Sequence, residues 1–401
     1  MSPANPRITG PLLDEAIRRI LPPEPALAQA ARAHLDSLTK PLGSLGRLED
    51  LATQLVALRG GDVSTPFRKA VYVFAADHGI VAEGVSAYPA GVTRQMVLNF
   101  LTGGAAVNVL ARLHHVALHI VDVGIDGDLD PHPDLLARKV RRGSRNMLHE
   151  PAMSHEELAQ ALAVGLQLAD QAASSGETVI AVGEMGIGNT TSASALTAAL
   201  TAQPVQHVTG RGAGLDDTTY AHKCRVLSAV FERHLPAPTP PPLHPAELLR
   251  RIGGLEIAAM TGMILGAASH GLAVVADGFI STAAAALALA LAPAARPYLF
   301  AGHQSQEPGH RILLALLGLH PILQLDMRLG EGTGALLALP ILESALHLYR
   351  EMATFTSAGV DTATPSATAP NGSTPGTTAE NPTDVPAKLT NPQPRPGKPT
   401  P

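Results

Sequence analysis

An α/β fold built on a doubly wound, mostly parallel sheet is what the sequence of 401 residues predicts, and three observations carry that expectation. From Arg68 onward, short β-rich runs alternate with helical ones, as a parallel sheet with crossover helices requires. The short runs are apolar at successive positions, as strands covered on both faces must be. Polar and glycine-rich residues collect just after them, where ligands bind in open α/β sheets.

The elements follow in order. Leu12–Ile20 and Ala26–Leu38 read as helices. Leu45, Leu48, Leu51, Leu55 and Leu58 recur at spacings of three and four, which places them on one face of a third helix. Ser44 stands before that run as its N-cap. The predicted strands are Val71–Ala75, Val116–Val123, Thr178–Val182, Leu272–Ala276, Tyr298–Phe300 and Ile322–Leu325. The Ala-rich segment Ser192–Leu200 is a helix after the third. The Pro-rich stretch Pro236–Pro245 marks a loop between helices. From Thr356 to Pro401 almost no large apolar residue occurs, so burial cannot offset ordering entropy and a disordered tail is expected.

Composition removes several function classes. There are 29 Lys and Arg against 34 Asp and Glu, a net charge of −5 without the basic excess of a nucleic-acid binder. No Trp, five Tyr and seven Phe leave little for stacking on bases. Hydrophobic residues make up 45%, so the chain is not disordered throughout. The single Cys224 excludes an intrachain disulfide framework and a Cys-based zinc cluster, and fits a reducing cytosol. Ile257–Ala276 and Gly278–Ala295 satisfy the length rule for a membrane span. Both are rich in Ala, Gly, Ser and Thr, and His270 and Asp277 interrupt them, so we read buried core elements and no membrane partner. The N-terminus places acids and arginines where a signal peptide needs an apolar run. A cytoplasmic location is therefore expected.

The strand-end segments carry the chemistry. Gly183 to Thr191 joins the third strand to a helix. Gly183 and Gly186 let backbone approach a ligand, while Asn189 and Thr190 cap a helix whose free N–H groups suit a phosphate. A tight strand–helix turn has the same pattern, and no Lys follows the last glycine as in a P-loop. In Gly210–Gly214, Arg211 is placed to pair with a phosphate or carboxylate beside Gly212; an ordinary flexible loop reads equally well. Asp77-His78-Gly79 after the first strand is either capping or site-lining, and Asp277 follows the fourth strand at a ligand-binding position. His114, His115 and His119 are a loop edge and strand positions. His303, Glu307 and His310 are spaced as metal ligands on one helix face, the basis of an alternative reading as a metal-dependent hydrolase. Pro308 would break that helix, so a loop of hydrogen-bonding groups fits better, and no metal or cofactor is assigned. Glu331 lies between Gly330 and Gly332, just before an apolar helix. In an apolar pocket its pKa would rise toward that of a general base; a helix-start acid stabilised by the macrodipole is the other reading.

Taken together, the segments resemble the nicotinate-nucleotide–dimethylbenzimidazole phosphoribosyltransferases of cobalamin biosynthesis. The matching stretches are Ser37–Glu49, Ala76–Gly79, Gly84–Pro89 (with Ser86 and Tyr88), Gly183–Thr191, Gly210–Gly214, Gly302–His310 and Leu329–Ala335, in the family's order. Gln304 and Gln306 stand where the family pattern has Arg and Ala. The resemblance implies transfer of the phosphoribosyl group of nicotinate mononucleotide to 5,6-dimethylbenzimidazole, giving α-ribazole 5′-phosphate and nicotinate. It implies a Rossmann-like domain over residues 66–332, a smaller helical domain from both chain ends (1–65 and 333–355), a tail over 356–401, and a homodimer. It implies Glu331 as general base, with Glu184 and Lys223 as further catalytic groups. Ser305, Leu329 and Gly330 are implied as substrate contacts, and Gln95 as part of the base pocket. A non-catalytic nucleotide sensor on the same fold is the remaining alternative.

Overall fold

The computed structural model describes residues 10–212, 214–235 and 243–361. Seven strands form one sheet in the order β3-β2-β1-β4-β5-β6-β7, every pair parallel. They are β1 (Lys69–Ala76), β2 (Ala117–Gly124), β3 (Leu135–Ala137), β4 (Val179–Met185), β5 (Ala273–Ala276), β6 (Leu299–His303) and β7 (Pro321–Leu323). All six predicted strands are present. The additional β3 pairs only three residues at the sheet edge, too few to show a pattern in sequence.

The helices are α1 (Pro11–Arg19), α2 (Pro25–Ser37), α3 (Arg47–Leu58), α4 (Val92–Leu101), α5 (Ala106–Leu113), α6 (His155–Ser174), α7 (Asn189–Thr201) and α8 (Val205–Val208). Then come α9 (Asp217–His234), α10 (Pro245–Ile252), α11 (Leu255–Ser269), α12 (Phe279–Leu291), α13 (Pro308–Leu317), α14 (Thr333–Glu351) and α15 (Phe355–Ala358). Helices cover both faces. Along β1, Tyr72 and Phe74 enter one core with α6, α11 and α12, whereas Val71, Val73 and Ala75 enter the other with α3, α4, α5 and α14. This period-two alternation is what the pleat dictates. The two long apolar runs are core: α11 is buried at every position from Leu255 to Ala268, and α12 from Phe279 to Leu289.

Three expectations need correction. Ser44 does not cap the third helix. Residues 42–46 make turns, and α3 starts after Gly46, whose φ of 56° is the left-handed region that glycine favours. The predicted tail boundary at Thr356 falls inside α15, which the Thr354 hydroxyl caps by accepting from Ser357 N–H. Residues 362–401 lie outside the described part, as do 236–242 of the Pro-rich stretch. β4 also runs past Val182, so Gly183 and Glu184 are strand residues opposite Val73 and Phe74 rather than loop residues.

The described residues up to Val360 belong to one compact unit. Within it, α3 packs on α2 and on α14. Leu38 bridges Thr354, and His34 Nε2 lies 2.9 Å from the Tyr349 carbonyl oxygen. Helices α2 and α3 thus meet α14 on the face opposite α6 and α11, whereas α1 packs on α6 and α11 themselves.

Candidate active site

The carboxyl ends of β1, β4, β5 and β6 converge with the loop before α14. After β4, the chain turns sharply into α7. A Cβ on Gly186 would sit 2.5 Å from the Ala76 carbonyl oxygen, and Gly188 has φ 93°, so both positions need glycine. The turn rests on a buried base plate. His78 Nε2 is 2.7 Å from Glu256 and Nδ1 is 3.1 Å from the Ser192 hydroxyl. Burial alone would lower the His78 pKa, but Glu256 outweighs it and the net shift is upward. Asp77 accepts the Asp126 N–H and is also buried. Asp77 and His78 are both off the cavity wall, and the His78 side chain braces the turn rather than capping a helix.

Glu184 is buried at the end of β4 and accepts from the Asn189 side-chain amide. Burial first, then the negative charges of Asp277 and Glu256, push its pKa well above the carboxylate range. Burial and those neighbouring charges thus favour the protonated form of this carboxyl, while the Asn189 amide favours the charged one.

The second glycine loop holds three consecutive left-handed residues: Gly330 (φ 82°), Glu331 (φ 63°) and Gly332 (φ 84°). For a non-glycine residue that conformation costs about 1 kcal/mol. Glu331 is 3% exposed, and its Oε2 has no partner among the described residues. Burial, then Asp277, push its pKa up to about 7. Asp277 underlies the loop, accepting the N–H groups of Gly332 at 3.0 Å, Gly334 at 2.6 Å and Ala335 at 3.0 Å.

A cavity opens between these loops. Of the predicted residues, Ser86, Tyr88, Glu184, Gly186, Asn189 and Thr190 line it from one side, and Gly212, Ser305, Leu329 and Gly330 from the other. Six others are not on its wall. Glu331 sits buried behind Gly330. Gly183 is a packing position, since a Cβ there would overlap the Gly332 amide. Asp277 is turned into the protein, where its carboxylate holds the α14 start. Lys223 is fully buried behind Thr190 and donates to its hydroxyl at 2.9 Å. Burial, opposed by Glu307, lowers the Lys223 pKa to about 8. Arg211 lies in an adjoining surface cavity, bonded to the Leu215 carbonyl and Asp217 with its guanidinium 5.1 Å from the Tyr220 ring centre. Gln95 is exposed. The residue of α4 that reaches the site is Thr93, whose hydroxyl accepts the Ile187 N–H at 3.0 Å. Two positions on, Gln95 points roughly 200° away around the helix.

Sequence reasoning missed Arg328, the only Lys or Arg on the cavity wall among the described residues, and the apolar pair Phe279 and Ile280. Arg328 directly precedes Leu329, so its place beside the predicted loop was an available signal. It donates to the Gln306 side chain at 3.2 Å, one of the two departures from the family pattern. His303, Glu307 and His310 do not share a helix face. His303 ends β6, Glu307 precedes α13, and Pro308 starts that helix. Both ring nitrogens of His310 are engaged, by Thr282 and by Ser305. Among the described residues no group of three or more His, Cys, Asp or Glu side chains is placed to hold a metal ion.

Residues 20–360 match the model of a phosphoribosyltransferase family. A nicotinate-nucleotide–dimethylbenzimidazole phosphoribosyltransferase of Chloroflexus aurantiacus is 50% identical over 349 residues, 87% of this chain and 98% of the relative. One from Geobacter sulfurreducens is 49% identical over 349 residues, again 87% of this chain and 98% of the relative. The crystal structure of CobT from Thermus thermophilus shares 48% identity and superposes with a TM-score of 0.80, covering 84% of this chain and 99% of that one.

Proposed function

The chain belongs to the phosphoribosyltransferase family of these nicotinate-nucleotide–dimethylbenzimidazole enzymes, and we propose that it transfers the phosphoribosyl group of nicotinate mononucleotide to 5,6-dimethylbenzimidazole, a step in building the lower ligand of cobalamin. The observation that carries the reading is the Glu331 carboxylate, buried and unpartnered beside a cavity built from strand-end loops.

The chemistry asks little of the protein. Nicotinate leaves from a cationic pyridinium, taking the electron pair of the C1′–N bond, so no general acid is needed. The carbon left behind is oxocarbenium-like, as in glycoside chemistry. An unprotonated ring nitrogen of the benzimidazole forms the new bond to C1′. The other ring nitrogen then carries an acidic proton, which Glu331 accepts. A carboxylate with a pKa of about 7 is matched to that task near neutral pH. The acceptor is flat and apolar, and Leu329, Phe279, Ile280 and Tyr88 supply apolar wall. The α7 start and Arg328 suit the phosphate. Glu184, on the cavity wall and held by the Asn189 amide, is placed to hydrogen-bond a substrate oxygen. Lys223 acts by holding Thr190 in place.

A homodimer in the cytoplasm completes the proposal. Supporting it are the large apolar side chains of Leu98, Val109 and Leu113 that α4 and α5 expose, and an unpaired, buried Cys224. The test is direct. Purified protein is mixed with nicotinate mononucleotide and 5,6-dimethylbenzimidazole in chelator, and nicotinate and α-ribazole phosphate are followed by chromatography. Base-dependent formation of both is expected. Nucleotide binding without product would turn the reading toward a sensor, and activity lost to the chelator toward the hydrolase.

A further inference from the structure

We propose that Asp277 is the positioning residue of this reaction: it fixes the Glu331 loop to the end of the sheet and, on its other flank, faces the His303 imidazole, so that base and cavity wall share one anchor. The proposal rests on the reading of Glu331 given above.

Asp277 is itself firmly held. It follows β5, an interior strand between β4 and β6, donates its N–H to the Val182 carbonyl at 3.3 Å, and with its own carbonyl accepts the His303 N–H at 3.4 Å. Its carboxylate, 2% exposed, receives three N–H groups from the first turn of α14 and its cap. An α-helix leaves those donors without partners of its own. Gly332, the first amide it holds, is the residue after Glu331. Nothing intervenes between loop and sheet. A Cβ on Gly334 would overlap His303 Nδ1, and one on Gly302 would lie 2.8 Å from the Ala335 Cα.

His303 occupies the other flank. Its Nδ1 is 3.6 Å from Asp277 Oδ1, it is 1% exposed on the cavity wall, and neither ring nitrogen has a hydrogen-bond partner among the described residues. The charged and titratable groups facing this centre are Glu184 from β4, Glu256 from α11, His303 from β6 and Glu331 itself.

Asp277→Asn tests the assignment. An amide turns one donor toward the amides it should accept, so the loop shifts, and it also removes a negative charge from beside Glu331. We expect kcat to fall by about 10- to 100-fold, with dissociation of nicotinate mononucleotide changed less than about 3-fold. The acid limb of the kcat profile should move to lower pH, because the charge that opposed ionisation of Glu331 is gone. A residue that only braces the fold would not move that limb. Gly334→Ala displaces the loop without altering charge, so kcat should fall while the limb stays. His303→Asn should also leave the limb in place.

Wild-type kcat in Gly334→Ala, or an unmoved acid limb in Asp277→Asn, overturns the proposal. So does a limb that disappears with His303, which would belong to the imidazole. If Asp277→Asn does not fold, the Gly334→Ala and His303→Asn arms still decide. A wild-type protein that forms no product instead defeats the underlying reading, so the two failures are distinguishable.

Discussion

Helices α7 and α14 both start at the carboxyl edge of the sheet, each from a left-handed glycine, Gly188 at φ 93° and Gly332 at φ 84°. Each start concentrates roughly half a positive charge on its free amides. At α14 those amides are taken by Asp277 from within the protein. At α7 no described side chain accepts the N–H of Gly188 or Thr190, and both residues line the cavity. The same local device therefore serves two ends. One start is closed and holds the proposed base still, while the other is open to the cavity and is the proposed seat of the substrate anion. Damage to the first should appear in kcat and damage to the second in substrate affinity.

The largest effect should come from the closed start. Glu331→Gln should lower kcat by about 10²- to 10⁴-fold, the range for loss of a general base, while calorimetry still detects nicotinate mononucleotide binding. Near-normal turnover would remove Glu331 from the mechanism. Next, Gly183→Ala drives a methyl group into the Gly332 amide and should lower kcat on the order of 10²-fold with little change in far-ultraviolet circular dichroism. An altered donor KM with intact kcat would break the distinction between the two starts. In wild-type protein the base must be ionised, and Glu331 is pushed up to about 7. The kcat profile should thus rise through about pH 7 and level off above it. A profile that stays flat from about pH 5 to about pH 8, a span that an unperturbed carboxylate does not titrate in, would contradict the assignment.

The open start predicts smaller changes of another kind. Arg328→Ala should raise donor KM by about 10-fold, the loss of one charge-assisted contact, with kcat changed little. Gln306→Ala frees Arg328 from its side-chain partner and should change donor KM by less than about 3-fold, as for an exposed polar pair. Steady-state kinetics at fixed benzimidazole checks both, and a dominant kcat effect in either would merge the two regions.

Much of this is legible in the sequence. The six apolar runs are strands, and residues after five of them, all but β2, line one cavity. Strand β3 is hidden because three edge residues carry no periodicity. The site residues that lie off the cavity wall share one cause: sequence shows that a residue follows a strand or belongs to a motif, not which way its side chain turns. Asp277 follows β5 as expected but points inward to amides. Gly183 lies in the right motif yet serves packing. Lys223 and Gln95, taken from resemblance, are respectively behind the cavity and away from it. Arg328 has no distinctive spacing of its own, and its place directly before Leu329 is the only signal it offers. His303 is visible only as one of three spaced histidines and acids, and that spacing says nothing of its approach to Asp277.

The length of α14 has a consequence for how the chain is made. Its first residue follows the Glu331 loop, and its far end lies against α2 and α3, where His34 meets Tyr349 across 315 residues of sequence. Synthesis proceeds from the N-terminus, so α2 and α3 leave the ribosome long before their packing partner exists. Their apolar faces must wait for nearly the whole Rossmann-like body to be translated, and pairing across such a separation is slow in general. The helix that finally covers them is the one that brings Glu331 to the sheet. A truncated chain ending before α14 would thus lack the cover for its oldest helices and the helix that anchors the proposed base, leaving exposed an apolar surface that quality-control proteases can recognise.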